Sequence, residues 1–215
     1  MLPRFPDRLS PVDVALLPEH SQLTAQDECG FLWEYVPHRP ADWTAANQFI
    51  RDLKLEPSQL ARAPARLRYK HAAIAHAGRA LRRVLPREWR AGATFVPMPC
   101  SKAQGGCDHD DRMLRVLRCA FAGSGTEVHE LLRMGHSLRA DHVSPVRCSA
   151  ARLRRALCLD EVRDGVARYA PRPLIILVDD VLNSGKHYRV ASRMIRERWP
   201  DVRVRGVFLA RCARR

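Results

Sequence analysis

The chain has 215 residues, a formal net charge of +14, 46% hydrophobic and 28% charged residues, the balance of a globular protein with a sizeable core and not of a disordered one. No apolar run reaches the roughly 18 to 20 residues a bilayer-crossing helix needs, and residues 1–11 carry neither a signal pattern nor an arginine-rich presequence, so a cytoplasmic location without a membrane partner is expected. A pI near 10.4 favours anionic partners, from nucleotides and diphosphates to nucleic acid, and chooses none of them.

The first twenty residues hold four prolines and no periodicity and read as an extended arm. Thr24 with Asp27 resembles a helix start, and a short helix burying Phe31, Leu32 and Tyr35 is predicted before Pro37 and Pro40. Ala46, Phe49, Ile50 and Leu53 stand at helical spacing over residues 45–55. Residues 58–85, broken at Pro64, repeat the pattern with Leu67, Ile74, Leu81 and Val84. Residues 1–90 are therefore expected to form a helical N-terminal extension.

After Pro86 the pattern alternates. A strand over residues 94–96 ends in Pro97-Met98-Pro99. A helix is predicted over 111–121, with Leu114, Leu117 and Phe121 on one face, and a second strand over 127–132. Residues 137–149 are polar, basic and aperiodic, a loop, and a short basic helix follows over 150–157. Five consecutive aliphatics at 174–178 have the unbroken apolarity of a parallel strand covered on both faces. A helix over 187–199 and a strand over 202–209 complete a βαβ unit. Residues 91–215 thus read as an α/β domain. The seven cysteines are scattered, odd in number and never spaced CxxC, so reduced, packed thiols are expected, although Cys100 and Cys107 flank a loop where oxidation is chemically open.

The chemistry concentrates in Leu174-Ile175-Ile176-Leu177-Val178-Asp179-Asp180-Val181-Leu182-Asn183-Ser184-Gly185-Lys186-His187. Two carboxylates at the end of a buried strand stand at the carboxyl edge of the sheet, where open α/β folds bind ligands. The small residues after them let backbone wrap an anion at the start of the next helix. A nucleoside-triphosphatase loop is excluded, because GxxxxGK[ST] ending at Lys186 requires glycine where Asp180 stands.

This segment resembles the signature of the type I phosphoribosyltransferases (PRTases). The resemblance implies a PRTase-like fold, a mostly parallel central sheet flanked by helices. It implies that Asp179 and Asp180 hold the ribose hydroxyls of 5-phosphoribosyl 1-pyrophosphate (PRPP) as the catalytic pair. By the same resemblance Asn183, Ser184, Gly185, Lys186 and His187 hold the 5-phosphate. The loop reads Asn-Ser-Gly-Lys-His and not the Thr-rich form. Asn183 stands where purine-salvage relatives carry a basic aspartate, and an amide cannot take a proton near neutral pH, which argues against purine salvage. The run from Phe95 to Lys102 is similar to the family's pyrophosphate loop, which implies diphosphate contacts from Cys100, Ser101 and Lys102, with Asp111 and Arg112 lining that side. His109 with its neighbouring carboxylates is a poor metal set. Residues 139–147 occupy the place of the family's cover loop, where Arg139 and Arg147 would face the leaving pyrophosphate. Mg²⁺ is implied as cofactor, carried largely by the substrate, with Asp179 and Asp180 as the candidate protein ligands, and residues 1–90 stand where a variable hood or partner surface would be.

Three activities stay open at this point. The first is phosphoribosyl transfer from PRPP, or a related ribose phosphate, to an unidentified acceptor. The second is a non-catalytic PRPP or nucleotide sensor whose basic surface engages nucleic acid or a protein. The third is a hydrolase of ribosyl-phosphate bonds. Self-association is equally open.

Overall fold

The computed structural model describes residues 2–37, 44–138, 149–161 and 169–213. Two short N-terminal strands, β1 (Ser10–Pro11) and β2 (Cys29–Tyr35), precede helices α1 (Ala45–Leu53), α2 (Pro57–Arg62), α3 (Leu67–Val84) and α4 (Arg87–Gly92). Then follow β3 (Ala93–Pro97), α5 (Arg112–Phe121), β4 (Glu127–Val128), β5 (Leu132–Met134), α6 (Ala150–Ala156) and β6 (Leu157–Leu159). The unit β7 (Leu174–Leu182), α7 (Lys186–Arg198) and β8 (Arg203–Cys212) closes the chain.

Six strands form one sheet in the order β1-β2-β8-β7-β3-β4, and β5 and β6 pair separately as an antiparallel ribbon. All neighbours in the large sheet are parallel except β1 on β2. The α/β class and the mostly parallel, helix-flanked sheet expected from the apolar run at 174–178 are therefore present. In β7, Ile175 and Leu177 enter the core beneath α6 and α7, while Ile176 and Val178 enter the core beneath α1, α3 and α5. Helices thus cover both faces, which is why the strand alternates no polar residues.

The predicted helix burying Phe31, Leu32 and Tyr35 is overturned, because those residues lie in β2, paired in register with β8 from Cys29↔Gly206 to Tyr35↔Cys212. The run Cys-Gly-Phe-Leu-Trp-Glu-Tyr is rich in aromatics, which favour strands, and contains a glycine, which weakens a helix. Gly30 also lies so close to β1 that a Cβ there would stand 2.7 Å from the Leu9 side chain. The cap-like pair forms a closed turn instead, in which the Asp27 carboxylate accepts from the Thr24 N–H at 2.8 Å and from its hydroxyl at 2.9 Å. Residues 1–90 consequently supply two strands of the sheet as well as helices.

Two further corrections concern length. The strand expected over 174–178 runs on to Leu182, because β8 continues beside it through Val181↔Ala210 and Leu182↔Arg211. The strand expected over 127–132 is only two residues long. His129 donates its N–H to the Phe95 carbonyl at 2.9 Å, and the chain then leaves to pair β5 with β6.

The connections fix where a ligand would sit. From β3 the chain passes through α5 to β4, and from β7 it passes through α7 to β8, so the two paths leave in opposite directions across the sheet. Strand order therefore reverses between β3 and β7, and the crevice outside the carboxyl ends of such a pair is the usual ligand position in open α/β sheets.

Candidate functional site

At that reversal β3 ends beside Val178, while β7 runs on to Leu182, so Asp179 and Asp180, expected at the end of their strand, lie within it just beyond the end of β3; the Met98 N–H donates to the Val178 carbonyl at 2.9 Å. The segment from Pro97 to Arg112 therefore starts next to Asp179 and Asp180. These are the two segments that the sequence singles out for diphosphate and ribose phosphate.

Consecutive strand residues point to opposite faces, and the two aspartates have different surroundings. Asp180 is 4% exposed and enters a buried charge cluster. Its Oδ2 accepts from Arg112 Nε at 2.8 Å and Nη2 at 2.5 Å, and its Oδ1 pairs with Lys54 Nζ at 2.9 Å. Arg112 Nη1 donates to Asp110 at 2.9 Å, and Asp110 in turn accepts from Lys70 Nζ at 2.7 Å. Lys70, whose side chain is only 2% exposed, also donates to the carbonyls of Leu53 (3.2 Å) and Leu55 (2.5 Å) at the end of α1. Burial raises the Asp180 pKa, but the charges of Lys54 and Arg112 outweigh it and hold the carboxyl below its ordinary range. Asp179 is half-buried, and its Oδ1 accepts the Asp180 N–H at 2.8 Å. Burial and the charge of Asp180 push its pKa up, with His187 and Lys54 partly offsetting them.

Arg112, expected on the diphosphate side, thus uses three of its five N–H donors on two buried carboxylates. Asp111 is the N-cap residue of α5, exposed and 3.9 Å from Arg115. Ser101 and Lys102 are half-buried, and the Ser101 carbonyl accepts the Leu138 N–H at 2.7 Å. Ser137 Oγ accepts the Ala103 N–H at 2.9 Å, so the expected diphosphate loop is tied to the residues just before position 139. Arg139 and Arg147 lie outside the described residues. Cys100 Sγ accepts the Asp110 N–H at 3.4 Å and stands 3.7 Å from His109 Nδ1.

The expected phosphate loop caps α7. Gly185 adopts φ 82°, the left-handed region, as the N-cap residue, a conformation glycine takes without steric cost. Asn183 and His187 are exposed, Ser184 and Lys186 half-buried, and Gly185 buried. The N-terminal arm seals the outer side of the loop. The His20 ring Nδ1 donates to the Asn183 carbonyl, the Gln22 N–H donates to the Ser184 carbonyl at 2.8 Å, and a Cβ on Gly185 would stand 2.5 Å from Leu23 Cγ.

A cleft of about 850 Å³ lies along α5, β4 and β5 and adjoins a small recess reaching Cys100 and His109; neither is lined by Asp179 or Asp180. Direct metal ligation by Asp180 does not fit, since both its oxygens already face cations. Among the described residues no cluster of three or more His, Cys, Asp or Glu side chains could hold a metal ion. Likewise no described helix is long and apolar enough to cross a membrane. Cys29 and Cys212 are buried free thiols, whereas Cys107 and Cys119 are exposed ones.

Sequence reasoning missed Lys54, Lys70 and His20. Lys70 left a signal, because it lies four residues before Ile74 and eleven before Leu81, on the buried stripe of α3. Nothing in the letters marks Lys54, the C-cap residue of α1, or His20 in the arm. No protein-family model matches the chain, and no curated protein sequence matches it.

Proposed function

We propose that the chain binds PRPP, or a related ribose phosphate, and transfers its phosphoribosyl group, as its resemblance to the type I phosphoribosyltransferases implies. One observation carries this reading. The acidic pair lies in β7, which ends in the loop to Gly185, and the Pro-x-Pro segment with Ser101 and Lys102 leaves the adjacent parallel strand β3, at the point where strand order reverses.

In this reading the amides around Ser184 and Gly185, with Lys186, receive the 5-phosphate. The half-buried Asp179 receives a ribose hydroxyl, and Asp180 fixes the strand end through Arg112. Ser101 and Lys102 receive the diphosphate, which arrives as its Mg²⁺ complex. When the bond from C1 to the diphosphate oxygen breaks, the electron pair leaves with diphosphate and positive charge develops on C1. The acceptor's lone pair forms the new bond, and its proton passes to solvent. Asp179 stands beside the developing charge.

The test is phosphorus NMR of PRPP and Mg²⁺ with the purified protein, scanning bases, amines, nucleic acids and water as acceptors. Free diphosphate should grow with one class, and Asp179→Asn should slow its release at least about tenfold, the loss of one charge-assisted contact in the transition state. PRPP resonances unchanged at stoichiometric protein would sink the reading.

A second reading, PRPP binding without turnover, is favoured by the full engagement of Asp180 with Lys54 and Arg112. It predicts perturbed PRPP resonances with no diphosphate release for any acceptor. Such a module would signal through a partner, and its basic surface makes nucleic acid the first candidate.

A further inference from the structure

We propose that the N-terminal arm orients the phosphate loop, and that His20 is a positioning residue for the 5-phosphate. This rests on the ribose-phosphate reading above and adds to it a part of the chain that the acidic segment does not contain. In a trans peptide the C=O of one residue and the N–H of the next point in opposite directions. The carbonyls of Asn183 and Ser184 both face the arm, the first toward His20 Nδ1 and the second toward the Gln22 N–H. The N–H groups of Ser184 and Gly185 must therefore point away from the arm, side by side. Among the described residues neither N–H donates to another protein atom.

The arm is anchored firmly enough to impose this orientation. His20 is fully buried, and a carbonyl can only accept, so its Nδ1 carries the proton. Leu23 fills the space where a side chain on residue 185 would stand. Beyond it, Asp27, whose side chain is 1% exposed, pairs with Arg189 on α7 at 2.9 Å. The arm thus grips both the loop and the helix that follows. Without the two donors the peptides at 183–184 and 184–185 lose what fixes their rotation, and the amide pair loses its common direction.

The experiment is a ¹H–¹⁵N titration of the full-length protein with ribose 5-phosphate and, separately, with Mg²⁺ and inorganic diphosphate. In the wild type, ribose 5-phosphate should shift the Ser184 and Gly185 amides. His20→Phe, which keeps an aromatic ring and removes the donor, should weaken ribose 5-phosphate by about tenfold, the scale of one or two lost hydrogen bonds. Diphosphate affinity, assigned to residues 101–102, should stay within about twofold. His20→Asn, whose side-chain N–H reaches where Nδ1–H stood, should recover most of the lost affinity. If His20→Phe does not fold, Gln22→Pro removes the other donor and carries the same expectation. Equal loss of both ligands would mean that the arm only supports the fold, and unchanged ribose 5-phosphate affinity would mean that the loop orients itself; either overturns this inference and leaves the parent reading standing. A wild type whose Ser184 and Gly185 amides ignore ribose 5-phosphate overturns both.

Discussion

The two adjacent aspartates show how far one residue step can separate two identical side chains. Asp180 is held below its ordinary pKa despite burial, so it contributes stability above the usual carboxylate range and loses it as pH falls through its folded pKa. Asp179 is raised by burial and by Asp180, so its contribution has the opposite sign, present in acid and lost as pH rises through its folded pKa. Thermal melts from pH 3 to pH 8 should show Asp180→Asn strongly destabilised near neutrality, by about 3 kcal/mol, because Arg112 is left partly uncompensated. The deficit should shrink in acid. Asp179→Asn should melt at or above the wild-type temperature at pH 7, since it removes a like charge from beside Asp180. A third residue-scale expectation concerns Gly185. Alanine there would meet both the positive φ and the Leu23 side chain, and a urea titration should show a loss of about 2 kcal/mol.

At the scale of elements, β7 and α3 bring the parts of the site together. Ile175 to Val178 are each at most 1% exposed and serve two cores, so Ile176→Ala should cost about 2 to 5 kcal/mol in chemical denaturation. The ammonium of Lys70 fastens α3 to the end of α1 and to Asp110 just before α5. Burial pushes its pKa down, and Asp110 offsets this only in part. Lys70→Met should lower stability by about 3 kcal/mol, because it leaves Asp110 with Arg112 as its cation and two carbonyls without their donor. The stripe on α3 was legible as a helix face, yet Leu67 on that helix is 40% exposed while Lys70 is buried. Spacing identifies a face, but the neighbours decide which of its members turn fully inward.

For the whole molecule, the decisive fact is that β2, from the first third of the chain, pairs along its length with β8 at the other end. Residues 1–90 should therefore not melt ahead of the rest. A variant retaining only Trp33 in β2 should lose its fluorescence at the same denaturant midpoint as the far-ultraviolet circular dichroism of the helices. Two separate midpoints would mean that the N-terminal segment is an independent unit.

The letters alone determined the parts governed by local physics. Continuous apolarity at 174–178 required a strand covered on both faces, and the small, polar run 183–185 required a tight turn into a helix. Pro64 marked the break inside the helical run 58–85, between α2 and α3. Tertiary structure decided what depends on partners far away in the chain. Residues 29–35 became a strand because β8 lay ready to pair with them, and that register is not written in their own spacing. Asp180 turned inward because Arg112 and Lys54, 68 and 126 positions away, arrive there to neutralise it. The arm met the phosphate loop because the connection between β1 and β2 reaches back to residues 183–185, where His20 and Gln22 bond their carbonyls. Local pattern specifies an element and its exposed face; the charge and contacts of a site are set only when separate elements meet.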